Sequence, residues 1–436
     1  MIMKKCVLSF LAACVAAIPS FAQNEVAVND QVNLTDNLIG EVFAIIEKEA
    51  FVTVFANSDA PPAGALEIQD SYSIDGYVFL PVAIKESGFR ACEDLTSVKV
   101  CSAISTIPSY AFADCKKLRS FTEAKSGSIE LIGNYAFYKT YALSEINLPK
   151  CKTIVDYAFN GSGVKKVNLP EIQYIYAGGF YECKSLSEFT GGEKLREIGN
   201  VAFCNAGPFP SITLGPDLTK IGNLAFAFLP GLKEIVIPEN IKSIGKDAFS
   251  GLAMERVFIL NSNFMDFCDA SKLLRNKYLK EIYCDQQLNE NIKNYIETGS
   301  EDTKPEFLAS QAIVKPLSDI VEVKQTSSPD YFSAFERIDG ISFLTLFNPE
   351  TGDLIPNKGE GYHITGDRVG VRCWIDKVNL LQYVTDVNRP SGMEEIDAAS
   401  DDSHPVYYDL QGNIVANPSK GIFIVKKGSE VYKVIK

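Results

Sequence analysis

Apolar positions in the middle of this chain recur with one motif and a nearly constant period. A small residue followed by Phe stands at Gly88-Phe89, Ala111-Phe112, Ala136-Phe137, Ala158-Phe159, Gly179-Phe180, Ala202-Phe203, Ala225-Phe226 and Ala248-Phe249. Successive Phe residues lie 21 to 25 positions apart, most often 23. Ile precedes most of them by four to five residues, often as Ile-Gly: Ile132-Gly133, Ile198-Gly199, Ile221-Gly222 and Ile244-Gly245. About six residues after the Phe comes a second apolar set, L-x-x-I-x-I in form, as in Leu143/Ile146/Leu148, Val164/Val167/Leu169 and Leu232/Ile235/Ile237. A ninth, degenerate copy ends in Leu279/Ile282/Cys284.

The I-x-I part has period two, so it predicts a short strand with one face buried. A unit this small cannot bury its own apolar face, and stacking of neighbours makes one continuous core with the strands in a parallel sheet. At ~4.8 Å per stacked strand, nine copies span roughly 40 Å. The Phe residues are expected to form an internal ladder opposite the sheet. The small residue before each Phe is expected to permit a tight turn.

The flanks lack the repeat. Phe51–Phe55 and Tyr72–Leu80 predict strands around an Asp75-Gly76 turn, and the region 23–80 serves as the β cap that a solenoid needs at its first unit. In 286–300, Leu288, Ile292, Tyr295 and Ile296 share one helical face. That predicts an amphipathic helix closing the solenoid, which runs over 81–318. Residues 319–395 predict a separate small β domain, with strands at 319–324, 341–347, 361–365, 369–375 and 380–385. Turn residues lie at Pro349–Gly352 and Asn357–Gly361. The remainder, 396–436, is a linker (polar over Ala398–Ser403) and a C-terminal β tail.

The chain has 436 residues, 46% of them hydrophobic and 22% charged, which is ordinary globular composition. Its net charge of −13, which falls to −15 if Lys4 and Lys5 leave with a leader, argues against nucleic acid or anionic lipid as partners. That leader is 1–22: a basic start, the apolar stretch Cys6–Ile18, and Ser20-Phe21-Ala22 before Gln23. It has the layout of a secretory signal peptide and is too short for a membrane span. Leu11-Ala12-Ala13-Cys14 also fits the box before a lipid-modified cysteine, although Val15–Ile18 stay apolar where such a protein turns polar. No later segment is apolar enough for a transmembrane helix.

The repeat, I-G-x-x-A-F-x-x-C-x-x-L-x-x-I-x-I-P, resembles the 23-residue leucine-rich repeat of BspA-like surface proteins. The copies Ile107–Leu118 and Ile221–Phe226 carry it most plainly, and it extends over about Pro81 to Asp285. Gly178-Gly179-Phe180 and Pro208-Phe209-Pro210 depart from it. The resemblance implies a β-rich solenoid of α/β leucine-rich-repeat type with small flanking β domains. The family is a scaffold with no catalytic motif, so it implies a non-enzymatic role. The segment Val406–Gly412 with Pro418–Val425, led in by Ser391–Ile396, is similar to the C-terminal tail of secreted Bacteroidota proteins, with Asn413 where that tail has Arg. It reads either as an outer-membrane export signal or as a terminal β unit.

No cofactor or metal site emerges from the sequence. Of eleven cysteines, Cys6 and Cys14 lie in the leader, and nine cannot form a closed disulfide framework. Cys92, Cys115 and Cys183 each stand three residues after a repeat Phe, a packing position for a small buried hydrophobe. A bridge between Cys92 and Cys115 is the alternative. There is no C-x-x-C, and the two histidines, His363 and His404, have no second ligand beside them. No G-x-S-x-G, Walker loop or dinucleotide fingerprint occurs. The acidic, glycine-bearing stretch 348–361 lacks the spacing of a calcium loop and predicts a hairpin. A carboxylate pair would be defined only in three dimensions.

The central residue of I-x-I points outward. Along the copies this row reads Lys99, Thr122, Asn147, Asn168, Thr190, Thr213, and then Val236, Phe258 and Tyr283. The last three, flanked by Glu234, Arg256 and Glu281, are the candidate ligand-binding patch, since aromatics beside a few charges are typical of binding hot spots. The other reading is that the last copies are covered by the C-terminal regions, or form a cross-strand aromatic ladder. The expectation is a secreted or cell-surface protein, outside the outer membrane, that adheres to a host or matrix protein or to other bacteria. The rivals are a glycan-binding or carbohydrate-active role carried by 319–395, and a purely structural envelope protein.

Overall fold

The computed structural model describes residues 26–124, 127–298, 312–326, 331–339, 341–357, 361–375, 379–387, 406–408, 422–427 and 430–435. The leader with Cys14, the linker 398–403, His404 and most of the tail motif lie outside these residues. The chain divides into two compact units. The first runs to Leu317 and takes in 340–342 and 373–381, and the second holds 318–339, 343–372 and 382–436.

In the first unit the I-x-I segments pair as expected. Gly64–Glu67, Leu95–Val100, Ser120–Glu123, Glu145–Asn147, Lys166–Leu169 and Glu188–Gly191 form a six-stranded parallel sheet. A second parallel set follows: Glu234–Ile237, Arg256–Ile259, Glu281–Cys284 and Ile313–Pro316. The sixth copy separates them. Pro208 and Pro210 have no N–H to give a ladder, and Ser211–Leu214 forms no strand. The copy still packs, with Phe209, Ile212 and Leu214 buried.

The Ile before each Phe makes a second sheet that the pattern did not announce. Seven two-residue strands, from Thr106–Ile107 to Ser243–Ile244, run parallel with their isoleucines in register. The Gly after the Ile is required by the close approach of adjacent coils. A Cβ at Gly222 would lie 2.5 Å from the Asn200 backbone nitrogen, and one at Gly133 would lie 2.8 Å from that of Ser109.

The turn around each Phe is built differently from the expectation. The small residue is not the one in the left-handed region. That conformation falls one residue earlier (Ser87, Tyr110, Tyr135, Tyr157, Gly178, Val201, Leu224, Asp247) and two residues after the Phe (Ala91, Asp114, Lys139, Gly161, Glu182, Asn205, Phe228, Gly251). The small residue is set by packing: a Cβ at Gly179 would lie 2.8 Å from Ile175 and 3.2 Å from Ile154. Between the two left-handed residues the backbone bonds to the next coil. Phe112 N donates to Ala136 O at 2.8 Å, and Phe137 N donates to Ala158 O at 2.8 Å.

The eight Phe residues form the expected ladder. Neighbouring centroids are 5.1–5.6 Å apart and ring planes differ by 3–17°. It faces the long strands, from which Phe121 and Phe189 meet the ladder edge-on at 5.1–5.7 Å. Both ends are closed. At the start, Gln31–Thr35, Leu38–Ile46, Glu49–Ala56, Tyr77–Ile84 and Tyr72–Ile74 form a five-stranded sheet. Asp75 and Gly76, both at positive φ, turn its hairpin. At the far end, helix Met265–Ser271 buries Phe267 and Cys268. Helix Gln286–Thr298 then buries Leu288, Ile292 and Ile296 behind an Asp285 cap that accepts the Leu288 N–H at 2.7 Å.

In the second unit, Val321–Gln325, Tyr331–Glu336 and Tyr362–His363 form an antiparallel sheet. The acidic stretch from Asn348 is a hairpin turn: Leu346 pairs with Ile355, and the Asn348 side chain accepts the Glu350 and Thr351 N–H groups. Val406–Tyr408, Ile422–Lys427 and Glu430–Ile435 make a three-stranded antiparallel sheet.

Phe159 has a ring on each face and no exposure. Phe159→Ala is predicted to destabilise the folded chain by about 3–5 kcal/mol. Tyr141→Ala, at a side chain 55% exposed, should stay within about 0.5 kcal/mol. Guanidinium unfolding followed by circular dichroism decides, and equal effects would remove the ladder from the centre of the fold.

Candidate binding surfaces

The outward face of the long strands changes character along the solenoid. Over the first six strands Lys99, Thr122, Asn147 and Thr190 are exposed and Asn168 partly so. These side chains are tied to one another across coils. Asn168 donates to Asn147 at 2.9 Å, Lys99 pairs with Glu67 at 2.7 Å, and Lys166 pairs with Glu188 at 2.9 Å. The carboxylates hold both lysines above their ordinary range, chiefly through the hydrogen bond. The face is a polar surface with both charges represented.

From the sixth copy onward the same face is buried, and here the expected patch fails as an exposed surface. Thr213 is 5% exposed, Val236 2%, and Phe258 and Tyr283 0%. The two rings stack at 5.1 Å, which is the ladder alternative. Arg256 lies 5.5 Å from the Phe258 ring and pairs with buried Glu234 at 2.7 Å. Lys315 lies 5.4 Å from the Tyr283 ring and pairs with Glu281 at 2.6 Å. Burial raises the Tyr283 phenol, and the Glu281 charge adds to this against Lys315. The physical reason is area. An aromatic side chain carries 150–250 Å², and at ~25 cal/mol per Å² its burial contributes several kcal/mol. Period two fixes where a strand side chain points and leaves open whether more chain lies over it. Strand Ile313–Pro316, which brings Lys315, was not expected.

A second surface went unremarked in the sequence, although its signal was there. In three consecutive copies the residue two before the Phe is Tyr: Tyr110, Tyr135 and Tyr157. Their rings stack at 5.1 and 5.2 Å, with planes within 10°. Tyr138 and Tyr181 stand at 88° and 86° to the row. Arg90 lies 5.3 Å from the Tyr110 ring. All five tyrosines are partly exposed. Burial, and then the neighbouring phenols, push the Tyr135 phenol up.

Cys92 and the eight cysteines after it are all buried free thiols, so no Cys92–Cys115 bridge is formed. Cys115 and Cys183 donate to the Phe89 and Phe159 carbonyls at 3.0 Å, one coil back. Burial pushes Cys92 up to about 11 and Cys115, Cys151, Cys268 and Cys284 up to about 12. Among the described residues no group of His, Cys, Asp and Glu is placed to hold a metal ion. His363 packs against Tyr331.

Residues 82–169 and 152–271 match the BspA type leucine rich repeat region, in six copies. The chain carries a leucine-rich repeat solenoid of this type. Among solved structures it is similar to a leucine-rich repeat protein from Bacteroides ovatus ATCC 8483, at 22% identity and a TM-score of 0.43, over 57% of this chain and 70% of that one. It is also similar to a leucine-rich repeat protein from Eubacterium ventriosum ATCC 27560, at 18% identity and a TM-score of 0.32, over 59% and 78% of the two chains. A leucine rich cell surface protein from Faecalibacterium prausnitzii A2-165 matches at 16% identity and a TM-score of 0.26, over 57% and 93%. No curated protein matches the chain.

Two predictions follow from the side-chain environments. The left-handed region costs a tyrosine about 1–2 kcal/mol, and a stacked aromatic pair returns about 0.5–1.5 kcal/mol. Tyr135→Asn relieves the first and loses two of the second, so its stability should change by less than about 2 kcal/mol in the same unfolding assay. A larger loss would make the row a folding element. For the thiols, the unfolded groups ionise near ~8.5 and the folded ones only near 11–12. Above pH ~8.5 the unfolded chain releases protons that the folded chain retains, so stability falls by about 1.4 kcal/mol per pH unit per thiol until the folded thiol titrates. Melting temperatures between pH 8 and 10 should therefore drop, and replacing Cys115 by Ala should flatten that slope. An unchanged slope would remove Cys115 from the effect.

Proposed function

We propose that this protein is a secreted or surface-displayed adhesion module that holds another extracellular macromolecule on its solenoid, without catalysis. The observation that carries the reading is the open outward face of the first six long strands, with Lys99, Thr122, Asn147 and Thr190 exposed in a row. Strand side chains tied across coils present their groups with little entropy left to lose, which favours binding a large, relatively rigid partner. Among the described residues of this stretch each coil bonds to the next through strand pairing and the turn.

Location outside the cell is supported by the leader-like segment 1–22, with cleavage before Gln23 or lipid attachment at Cys14. The likeness of 391–436 to Bacteroidota secretion tails supports it further. The three-stranded sheet formed by the tail is compatible with an export signal and equally with a terminal β unit. Among the described residues no helix is long and apolar enough to cross a membrane. The partner class that fits the polar, mixed-charge face is a host or matrix protein or a component of another bacterial surface. The net charge of −13 disfavours nucleic acid.

The test is binding of the chain from Gln23 to an immobilised panel of matrix proteins, followed by interferometry. Asn147→Arg and Thr122→Arg lie on exposed positions and should fold normally by circular dichroism. They are predicted to weaken capture of the true partner by at least about tenfold, or 1.4 kcal/mol. Undiminished capture by both variants would move the site off the strand face, and capture of nothing would count against adhesion.

A further inference from the structure

We propose that the tyrosine row Tyr110, Tyr135 and Tyr157 is a binding track for an extended, neutral polysaccharide lying along the solenoid axis. This rests on the reading of the solenoid as a binding scaffold and gives it a second surface and a ligand class.

The row is unusual for where it stands. Every coil needs a left-handed residue at this position, and the other copies fill it with Ser87, Gly178, Val201, Leu224 and Asp247. Three consecutive copies use Tyr instead, at φ of 57°, 54° and 57°. The position does not call for an aromatic, since the strain and the stacking are of similar size. The result is three partly exposed phenols, stacked at steps of 5.1 and 5.2 Å. Among the described residues, no protein group hydrogen-bonds the hydroxyls of these three. A phenol both donates and accepts, so each coil offers one unused polar group of either sense.

The step and the size select the ligand. The track is about 10 Å long over its two steps of 5.1 and 5.2 Å and one side chain wide. A folded protein partner buries about 800 Å² a side in a standard interface, far more than this. An extended peptide presents same-face side chains about 6.6 Å apart, out of step with the row. A polyproline helix presents them about 9.3 Å apart, also out of step. One hexose of an extended, equatorially linked chain advances by close to one coil, so successive sugars meet successive phenols. Sugar hydroxyls match the phenols as donors and acceptors. Arg90 lies against the Tyr110 ring and Lys139 against the Tyr138 ring, but Asp114 lies 3.7 Å from Arg90 and the whole chain is at −13, which disfavours a polyanionic glycan.

The test is affinity electrophoresis of the chain from Gln23 in native gels containing hydroxyethyl cellulose or galactomannan, with dextran sulfate as the polyanion. Wild-type protein should be retarded by a neutral polymer and not by dextran sulfate. Tyr135→Asn, which suits the left-handed backbone, should reduce retardation at least about tenfold. Tyr135→Phe should give a smaller loss and keeps the test open should the Asn variant fold poorly. Tyr278→Ala, at an exposed tyrosine outside the row and outside the strand face, should leave retardation unchanged. No retardation by a neutral polymer, retardation indifferent to Tyr135, or retardation lost with Tyr278→Ala would each overturn the proposal. If panel proteins are still captured through Asn147 in the first of these cases, the adhesion reading survives while the polysaccharide track does not.

Discussion

No coil of this protein can cover its own Phe. Each inner ring of the ladder has both faces against the rings of the coils before and after it, at 5.1–5.6 Å. The other regularities follow from that requirement. Rings at that spacing bring the backbones close enough for parallel ladders on both sheets and for hydrogen bonds across the turns. That approach in turn permits only a small residue before the Phe and only Gly at Gly133 and Gly222. A ladder also has two ends, and an uncapped end would leave a Phe face in water. The five-stranded sheet at the start and the two helices at the far end answer that need. Phe249 N bonds to Ser271 O, which ties the last ring to the first capping helix.

The same translation governs charge. A period near 23 brings a residue beside its counterpart in the next coil, so a surface position of one sign everywhere would make a repulsive column. The chain instead sets lysines against acids one coil apart: Lys116 with Glu93, Lys117 with Asp94, Lys194 with Glu171 and Lys220 with Glu197. Exposed pairs of this kind add little stability each. Their effect is on register, because a coil that slipped would place like charges together. The alternation lets a chain of net charge −13 stack without accumulating one sign along an edge.

The repeat, the long strands and the Phe ladder were legible because each rests on a period that survives in sequence. The irregular sixth copy was legible too, since proline removes a donor wherever it stands. What escaped is what period alone does not encode. A two-residue strand is too short to show alternation, so the Ile sheet was invisible until coils were stacked. The left-handed positions carry residues as different as Ser87, Val201 and Asp247, and hence no compositional mark. The supposed patch at Val236, Phe258 and Tyr283 was placed on the right face and given the wrong exposure. The pattern records the direction of a side chain and is silent about the strand bearing Lys315. The tyrosine row was readable in Tyr-Ala-Phe three times over, and its meaning lay in a backbone conformation that no residue name declares.

A scaffold of this kind separates stability from recognition. The core is written in the Phe, Ile and Leu positions, and the exposed outward positions of the first six long strands can vary without disturbing it. Any row of outward residues is therefore a ruler with divisions of one coil. Its divisions are held by the core behind them and not by the side chains themselves, so the groups are ordered before a ligand arrives and little entropy is lost when it does. Each contact on such a row is weak. Contacts in step add, whereas contacts out of step engage one or two rungs and then miss. A ruler thus discriminates by period as much as by chemistry, and a polymer is the ligand that can exploit it. On the readings proposed above, the polar strand face would take a broad partner met at many points, and the tyrosine row, narrow and evenly divided, a linear one.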